Sequence, residues 1–304
     1  MCKNNVKKVV VTGATGFLGS NLIEELKDQD EYYVYAFSSR GEEMQKINKS
    51  RNIHFFYKDA FFSEDLSEIL KDAFIINCAF PRHSTGTGMA DGLRYIHNVF
   101  NMSRIIGTKA IINISSQSVY SQKRNELATE RTQVCLESPY AVGKFATEFM
   151  LEDACRGTNM VYTNLRMASL IGPGFDQRIV NRLTKQALEG EAIRVVRSNQ
   201  RFGFLDIEDA VRAILALIDI PTNTWKPIYN VGNGKEYSID YIAHRIKKVF
   251  EINKLTSPKV YVETGDACGS TGVAYNTIHE DSGFEPSIDI DTSIQRILEQ
   301  ILVN

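Results

Sequence analysis

Tyr140 and Lys144 stand four residues apart in SPYAVGKFATE (138–148), a stretch that reads as helix. Positions i and i+4 are neighbours on a helix surface, so the Lys144 ammonium can lie beside the Tyr140 oxygen. A free tyrosine titrates near ~10 and is a poor base at neutral pH. An adjacent positive charge favours the phenolate, and lowering that value by roughly 3 units takes about 4 kcal/mol. An interaction of that size needs a partly dry cleft. Just upstream lies a dense hydroxyl run, ISSQSVYS (114–121). A Y-x-x-x-K spacing also arises by chance on a surface helix, so the pair takes its meaning from the rest of the chain.

The chain start supplies a second chemistry. VKKVVVTGA (6–14) is a β-branched run that predicts a buried strand, and FLGSNLIEELKD (17–28) has helical periodicity. Between them TGATGFLG sets Gly13, Gly16 and Gly19. Glycines permit the tight turn and a close backbone approach, and the following helix offers free N–H groups and a positive dipole to an anion. Strand, glycine turn and helix in that order predict a dinucleotide site made by Gly13, Thr15, Gly16, Phe17 and Leu18. The next strand, YYVYAFSS (32–39), ends in Ser38 and Ser39 and is followed by Arg40. NAD sites place an acid there to bind ribose hydroxyls. Here no carboxylate repels a 2′-phosphate and a guanidinium stands by to bind one, so NADP(H) is favoured and NAD(H) stays open.

These residues need a frame. Further strands are expected at 53–60, 73–80, 109–116 and 160–167, with helices at 91–106 and 139–156. Strands alternating with helices predict a parallel, doubly wound α/β sheet. After about residue 168 the rhythm changes. A Gly/Pro loop (170–176) precedes a helix (178–189), a strand (192–196), a helix (207–218), an extended stretch (227–234), a helix (238–250), a strand (259–264) and a helix near 290–302. The expected division is 1–168 as the dinucleotide-binding domain, with part of 200–235 returning to it, and a smaller mixed lobe from 169–199 and 236–304.

Composition excludes several classes. The 304 residues carry a net charge of −2, which implies no nucleic-acid surface. Five scattered cysteines without C-x-x-C spacing imply neither a disulfide framework nor a metal site, and a reducing cytoplasm suits them. No run is long and apolar enough to span a membrane, and the start lacks a signal-peptide core.

TGATGFLGSNL, ISSQSVY, YAVGK, LRMASLIGPG and YNVGNG, in this order, resemble the extended short-chain dehydrogenase/reductase superfamily. The likeness is to its nucleotide-sugar epimerases, dehydratases and 4-ketoreductases. It covers nearly the whole chain and is densest up to about residue 174. The resemblance implies a Rossmann-type fold and a catalytic Ser116, four residues before Tyr120. Its hydroxyl would bond the substrate oxygen while Tyr140 moves the proton and Lys144 holds cofactor ribose and tunes Tyr140. Asp59 matches the family's adenine-contacting acid, with Ala60 beside it, and Ala79 matches the small residue next to the cofactor. On the substrate side it points to Arg201, matching a diphosphate-binding arginine, to Ser169, where the family has asparagine, and to His83 in FPRHS.

Departures narrow the reaction. The family's 4,6-dehydratases carry Asp-Glu after the catalytic hydroxyl, and here Gln117 and Ser118 stand there. Its 3,5-epimerase/reductases place a cysteine at the position of Ser118. A 4-epimerase or a 4-ketoreductase of a nucleotide-activated sugar remains. Glu263 and Thr264 occupy the place of a late arginine, which keeps a reductase of a non-sugar carbonyl as an alternative, beside a non-catalytic NADP(H)-binding sensor or scaffold. The resemblance also implies a homodimer through the helices at 91–106 and 139–156.

Overall fold

The computed structural model describes residues 6–41, 50–81 and 86–303. They divide into two compact units: Met1–Val119, Ser138–Arg166 and Ile214–Tyr229 in one, and Tyr120–Glu137, Met167–Ala213 and Asn230–Asn304 in the other.

In chain order the first elements are β1 (Lys7–Thr12), α1 (Phe17–Leu26), β2 (Tyr32–Ser38), β3 (Ile53–Tyr57), α2 (Glu64–Leu70) and β4 (Phe74–Asn77). Next come α3 (Thr87–Ile106), β5 (Ala110–Ser116), α4 (Pro139–Cys155) and β6 (Val161–Met167). With β10 (Ile228–Val231) the strands make a seven-stranded sheet of order β10-β6-β5-β4-β1-β2-β3. The pairs β1–β2, β1–β4, β2–β3 and β4–β5 are parallel. Val9, Val10 and Val11, and Ile75 and Ile76, are fully buried, the continuous apolar run expected of strands covered on both faces. On one face α3 lays Ile96, Val99 and Phe100 into a core with Val10, Ile75, Ile111 and Leu151. Burying each such side chain contributes about 1.5–3 kcal/mol.

One polar row crosses this apolar sheet. Thr12 faces Asn77 and Asn77 faces Asn113 in strand register. Thr12 Oγ1 donates to Asn77 Oδ1 at 2.7 Å, and Asn77 Nδ2 donates to Asn113 Oδ1 at 2.9 Å. Asn113 Nδ2 donates to Asn164 Oδ1 at 2.8 Å and to Thr147 Oγ1 of α4 at 3.1 Å. All five residues are buried, so each bond has no water to replace it. The row holds four strands and the helix of Tyr140 to one register.

The second unit contains β7 (Ser169–Ile171), α5 (Ile179–Leu188), β8 (Ile193–Arg201) and β9 (Phe204–Asp206). α6 (Ile207–Asp219) begins in it, and α7 (Ile239–Ile252), β11 (Val260–Ser270), α8 (Asn276–Ser282) and α9 (Ile290–Val303) complete it. Parallel pairs β8–β11 and β7–β9 are its two small sheets. Val180 and Leu183 of α5, Ile242 and Ile246 of α7, and Ile294 and Ile297 of α9 bury one core over Ile193 and Val195.

The structure departs from the sequence reading in several places. The strand expected at 53–60 stops at Tyr57, because Lys58–Phe62 winds into a 3-10 turn. The helix expected from 91 starts at Thr87. Residues 170 and 171, the start of the expected loop 170–176, lie in β7 and pair with β9. The segment 120–137, expected with the dinucleotide-binding part, belongs to the second unit. Tyr120 Oη donates to Asn230 Oδ1 at 2.9 Å, and Ala128 N–H donates to the Gly272 carbonyl at 3.1 Å. Of 200–235, residues 214–229 fall in the first unit.

Candidate active site

The turn after β1 is built by steric exclusion. Gly13 has φ +68°, and a Cβ on it would stand 2.6 Å from the Ala79 nitrogen. A Cβ on Gly19 would lie 2.4 Å from the Gly13 carbonyl oxygen, so that glycine lets α1 close onto the turn. Gly16 caps α1 without a side-chain hydrogen bond. This bare cradle at a helix N-terminus fits the pyrophosphate of a dinucleotide. Thr15 Oγ1 and Ser38 Oγ share a hydrogen bond of 2.6 Å. Arg40 donates from its amide to Ser38 Oγ at 3.1 Å and from its guanidinium to the Thr15 carbonyl at 2.8 Å. Thr15, Ser38 and Arg40 therefore form one cluster at the rim of the turn, with Ser39 exposed beside it. Phe17 and Leu18 open α1. Asp59 and Ala60 lie in the 3-10 turn after β3. Burial pushes the Tyr95 phenol up, and the Asp59 charge adds to the rise.

The second part of the site rides on α4. Ser138 Oγ caps the helix by accepting from Ala141 N–H at 3.1 Å, and Pro139 presets its first turn. The cap puts Tyr140 and Lys144 in successive turns. Lys144 is only 6% exposed. Its ammonium donates to the Ile114 carbonyl at 2.7 Å and sits 4.2 Å from the Phe80 ring centroid. Burying a lysine costs free energy unless its charge is met, and the carbonyl and the π face meet it. Phe80 also packs edge-to-face on Tyr140, with centroids 5.3 Å apart. Gly143 leaves room for that ring, since a Cβ there would come within 3.0 Å of it. Ile114 lies two residues before Ser116, so the Lys144 bond ties the helix of Tyr140 to the strand that ends in Ser116. Ser116 Oγ accepts from Ser118 N–H at 3.2 Å and from Ser118 Oγ–H at 3.0 Å. Beside Lys144, burial pushes the Cys78 thiol up to about 12, and the ammonium draws it only partly back.

Beneath these residues Arg166 of β6 forms a buried two-pronged pair with Glu148 of α4, Nε to Oε1 at 3.0 Å and Nη2 to Oε2 at 2.7 Å. Ser115 donates to the same carboxylate. The pair locks the middle of α4 to the sheet.

Of the substrate-side residues, Ser169 lies in β7 opposite Phe204. Arg201 is the exposed last residue of β8, opposite Ser270, and its carbonyl accepts from Thr271 N–H at 3.0 Å. Both belong to the second unit. Glu263 is exposed in β11 opposite Val196. His83 lies outside the described residues.

The sequence profile of the NAD dependent epimerase/dehydratase family matches residues 9–232. The chain belongs to that family. It is an enzyme of the extended short-chain dehydrogenase/reductase type, as its motifs implied. An uncharacterized UDP-glucose epimerase of Bacillus subtilis (strain 168) is 24% identical over 261 residues, covering 80% of this chain and 82% of that protein. A dTDP-4-dehydro-6-deoxy-D-allose reductase of Streptomyces sp is 24% identical over 269 residues, 80% of this chain and 81% of that one. Among solved structures, UDP-glucuronic acid 4-epimerase from Bacillus cereus in complex with UDP-glucuronic acid and NAD superposes with a TM-score of 0.82 at 21% identity. That superposition covers 97% of this chain and 99% of the other. Among the described residues, no helix is long and apolar enough to cross a membrane.

Two residues of this candidate site are not singled out by the sequence reading. Phe80 follows Ala79 and reads as one more core aromatic; only its proximity to α4 makes it a cover for Lys144. In sequence Ser118 stands out only for the residues it replaces, and its bond to Ser116 depends on the 3-10 turn Gln117–Val119 that follows β5. Ser, then any residue, then Ser is the one local signal that could have suggested it.

Proposed function

We propose that this protein is a nicotinamide-dependent 4-epimerase of a nucleotide-activated sugar, with Tyr140 as proton carrier, Lys144 as its electrostatic partner and Ser116 as donor to the reacting oxygen. One observation carries the reading: Lys144 is buried against the Phe80 ring that also packs on Tyr140, and it is bonded into the strand that ends in Ser116. A surface pair formed by chance would not be desolvated in this way. In the reaction Tyr140 would take the proton of the C4 hydroxyl and later return it to the C4 oxygen, with Ser116 donating to that oxygen. The bound cofactor supplies the hydride acceptor and donor; the turn at Gly13 and Gly16, the rim of Ser38 and Arg40, and Lys144 would hold it. Epimerases dominate the similar proteins named above, and the Bacillus cereus enzyme was solved with NAD.

A second reading, 4-ketoreduction with NADPH, rests on Arg40. Its guanidinium is anchored at the rim where a 2′-phosphate would sit, and no carboxylate stands at Ser38. The reductase from Streptomyces sp is as similar as the epimerase from Bacillus subtilis. The substrate side would fall to Ser169 and Arg201, with a nucleotide sugar as partner. Exposed Ile105 of α3 and Val142 and Phe149 of α4 suit a homodimer through those helices, and exposed thiols at Cys135 and Cys268 suit the cytoplasm.

The test is product analysis with purified protein. UDP-glucose, UDP-glucuronic acid and UDP-N-acetylglucosamine are each offered with NAD, and 4-keto-sugar nucleotides with NADPH or NADH. A C4 epimer formed without net cofactor turnover establishes epimerisation; stoichiometric NADPH oxidation establishes reduction. Tyr140→Phe should lower kcat at least ~100-fold while leaving cofactor affinity in place. A Tyr140→Phe protein of normal activity would remove the proton-carrier assignment.

A further inference from the structure

We propose that Ser118 is a positioning residue that fixes Ser116 as a hydrogen-bond donor toward the substrate oxygen; this rests on the site reading above. A serine hydroxyl has one proton to give and two lone pairs to receive. Ser116 Oγ receives two donors from the same residue, the Ser118 amide at 3.2 Å and the Ser118 hydroxyl at 3.0 Å. Both lone pairs are thereby occupied. The only hydrogen-bonding capacity left on Ser116 is its own proton. Ser116 and Ser118 are both partly exposed, whereas their neighbours Ser115, Gln117 and Val119 are buried. The accessible face of this turn is thus the one on which the two hydroxyls lie.

The consequence is directional. Without the Ser118 hydroxyl the Ser118 amide still fills one lone pair, but the other is open, and Ser116 can donate or accept. With Ser118 in place it cannot accept the Tyr140 proton or that of a substrate alcohol. A substrate hydroxyl that receives the Ser116 proton must turn its own proton elsewhere, and the acceptor assigned to it is Tyr140. A substrate carbonyl receives the same donor, which becomes more effective as negative charge gathers on the oxygen. The donation from Ser118 also polarises the Ser116 O–H, since hydrogen bonds in a chain strengthen one another. A residue at this position with a carboxylate or a thiol would change both features.

The experiment is a double-mutant cycle of Ser116→Ala and Ser118→Ala, with Ser118→Thr as the conservative variant. It is run on whichever nucleotide sugar the product analysis identifies. Ser116→Ala should lower kcat about 100-fold, as loss of one donor to a developing oxyanion does. Ser118→Ala keeps the amide donor and frees one lone pair, so it should lower kcat about two- to threefold with KM unchanged, the loss expected when the donating rotor position is no longer the selected one. The double variant should equal Ser116→Ala alone, because Ser118 acts only through Ser116. Ser118→Thr should restore kcat. A readout independent of turnover is the Ser118 amide proton resonance, which should move upfield in Ser116→Ala as its hydrogen bond is lost. Additive losses in the double variant, or an unchanged kcat in Ser118→Ala beside an impaired Ser116→Ala, would overturn this proposal and leave the site reading standing. An unimpaired Ser116→Ala would instead overturn the site reading.

Discussion

Replacing Asn113 by Leu tests whether the polar row across the first unit holds the sheet together. Asn113 accepts from Asn77 Nδ2 and donates to Asn164 Oδ1 and Thr147 Oγ1. Leucine has a similar volume but offers none of these bonds. Thr147 keeps its own bond, donating to the Lys144 carbonyl at 2.8 Å. The Asn77 amide and the Asn164 carbonyl lose theirs in a dry interior. Each orphaned buried group costs about 1–3 kcal/mol, so the variant should lose about 2–6 kcal/mol. That is a large fraction of the about 5–15 kcal/mol by which folded domains are stable. Trp225 is the chain's single tryptophan, 8% exposed, with Nε1 bonded to the Leu217 carbonyl at 3.0 Å. It lies in the same unit as Asn113, so urea titration followed by tryptophan fluorescence reads that unit directly. With a slope of about 2–3 kcal/mol per M, the midpoint should fall by about 1–2 M. The converse test replaces Thr12, Asn77, Asn113 and Asn164 together by Val, Leu, Leu and Leu. Removing both partners of the three strand-to-strand bonds should recover most of the loss. A midpoint shift of less than about 0.3 M in Asn113→Leu, or a fourfold variant less stable than the single one, would show that the polar row does not hold the sheet together.

Three further outcomes follow from the same structure. Gly13→Ala, with its Cβ forced to 2.6 Å from the Ala79 nitrogen at φ +68°, should weaken cofactor binding at least about tenfold by calorimetry. Glu148→Gln leaves the Arg166 guanidinium buried without its counter-charge and should cost about 3–5 kcal/mol in urea, whereas Glu148→Leu with Arg166→Met should recover much of it. Asp289 caps α9, and its bond from Thr292 N–H holds its carboxyl below the ordinary range. A lowered folded value means stability present above the ordinary carboxylate range and lost as pH falls through the lowered value. Asp289→Ala should therefore destabilise by about 1 kcal/mol at neutral pH, with the gap to wild type closing below about pH 4 in parallel thermal melts.

Much of the candidate site's geometry was legible because its determinants are local. The glycine spacing 13–16–19 reflects torsions and close approach within one turn. Tyr140 and Lys144 share a face through helix geometry alone, and Ser138–Pro139 announces where that helix begins. Alternating strands and helices settle the doubly wound class for the same reason, since side-chain periodicity needs only a short window. Tertiary structure decided what depends on distant partners. The bonds of the polar row join residues 65, 36 and 51 positions apart, and each asparagine read singly looks like a fault in a strand. Phe80 acquires its place over Lys144 only once β4 and α4 are packed together. Residues 120–137 join the second unit because Tyr120 and Ala128 find their partners at Asn230 and Gly272. Buried polar groups must be satisfied wherever a partner exists, and which partner that is depends on how the chain folds back on itself.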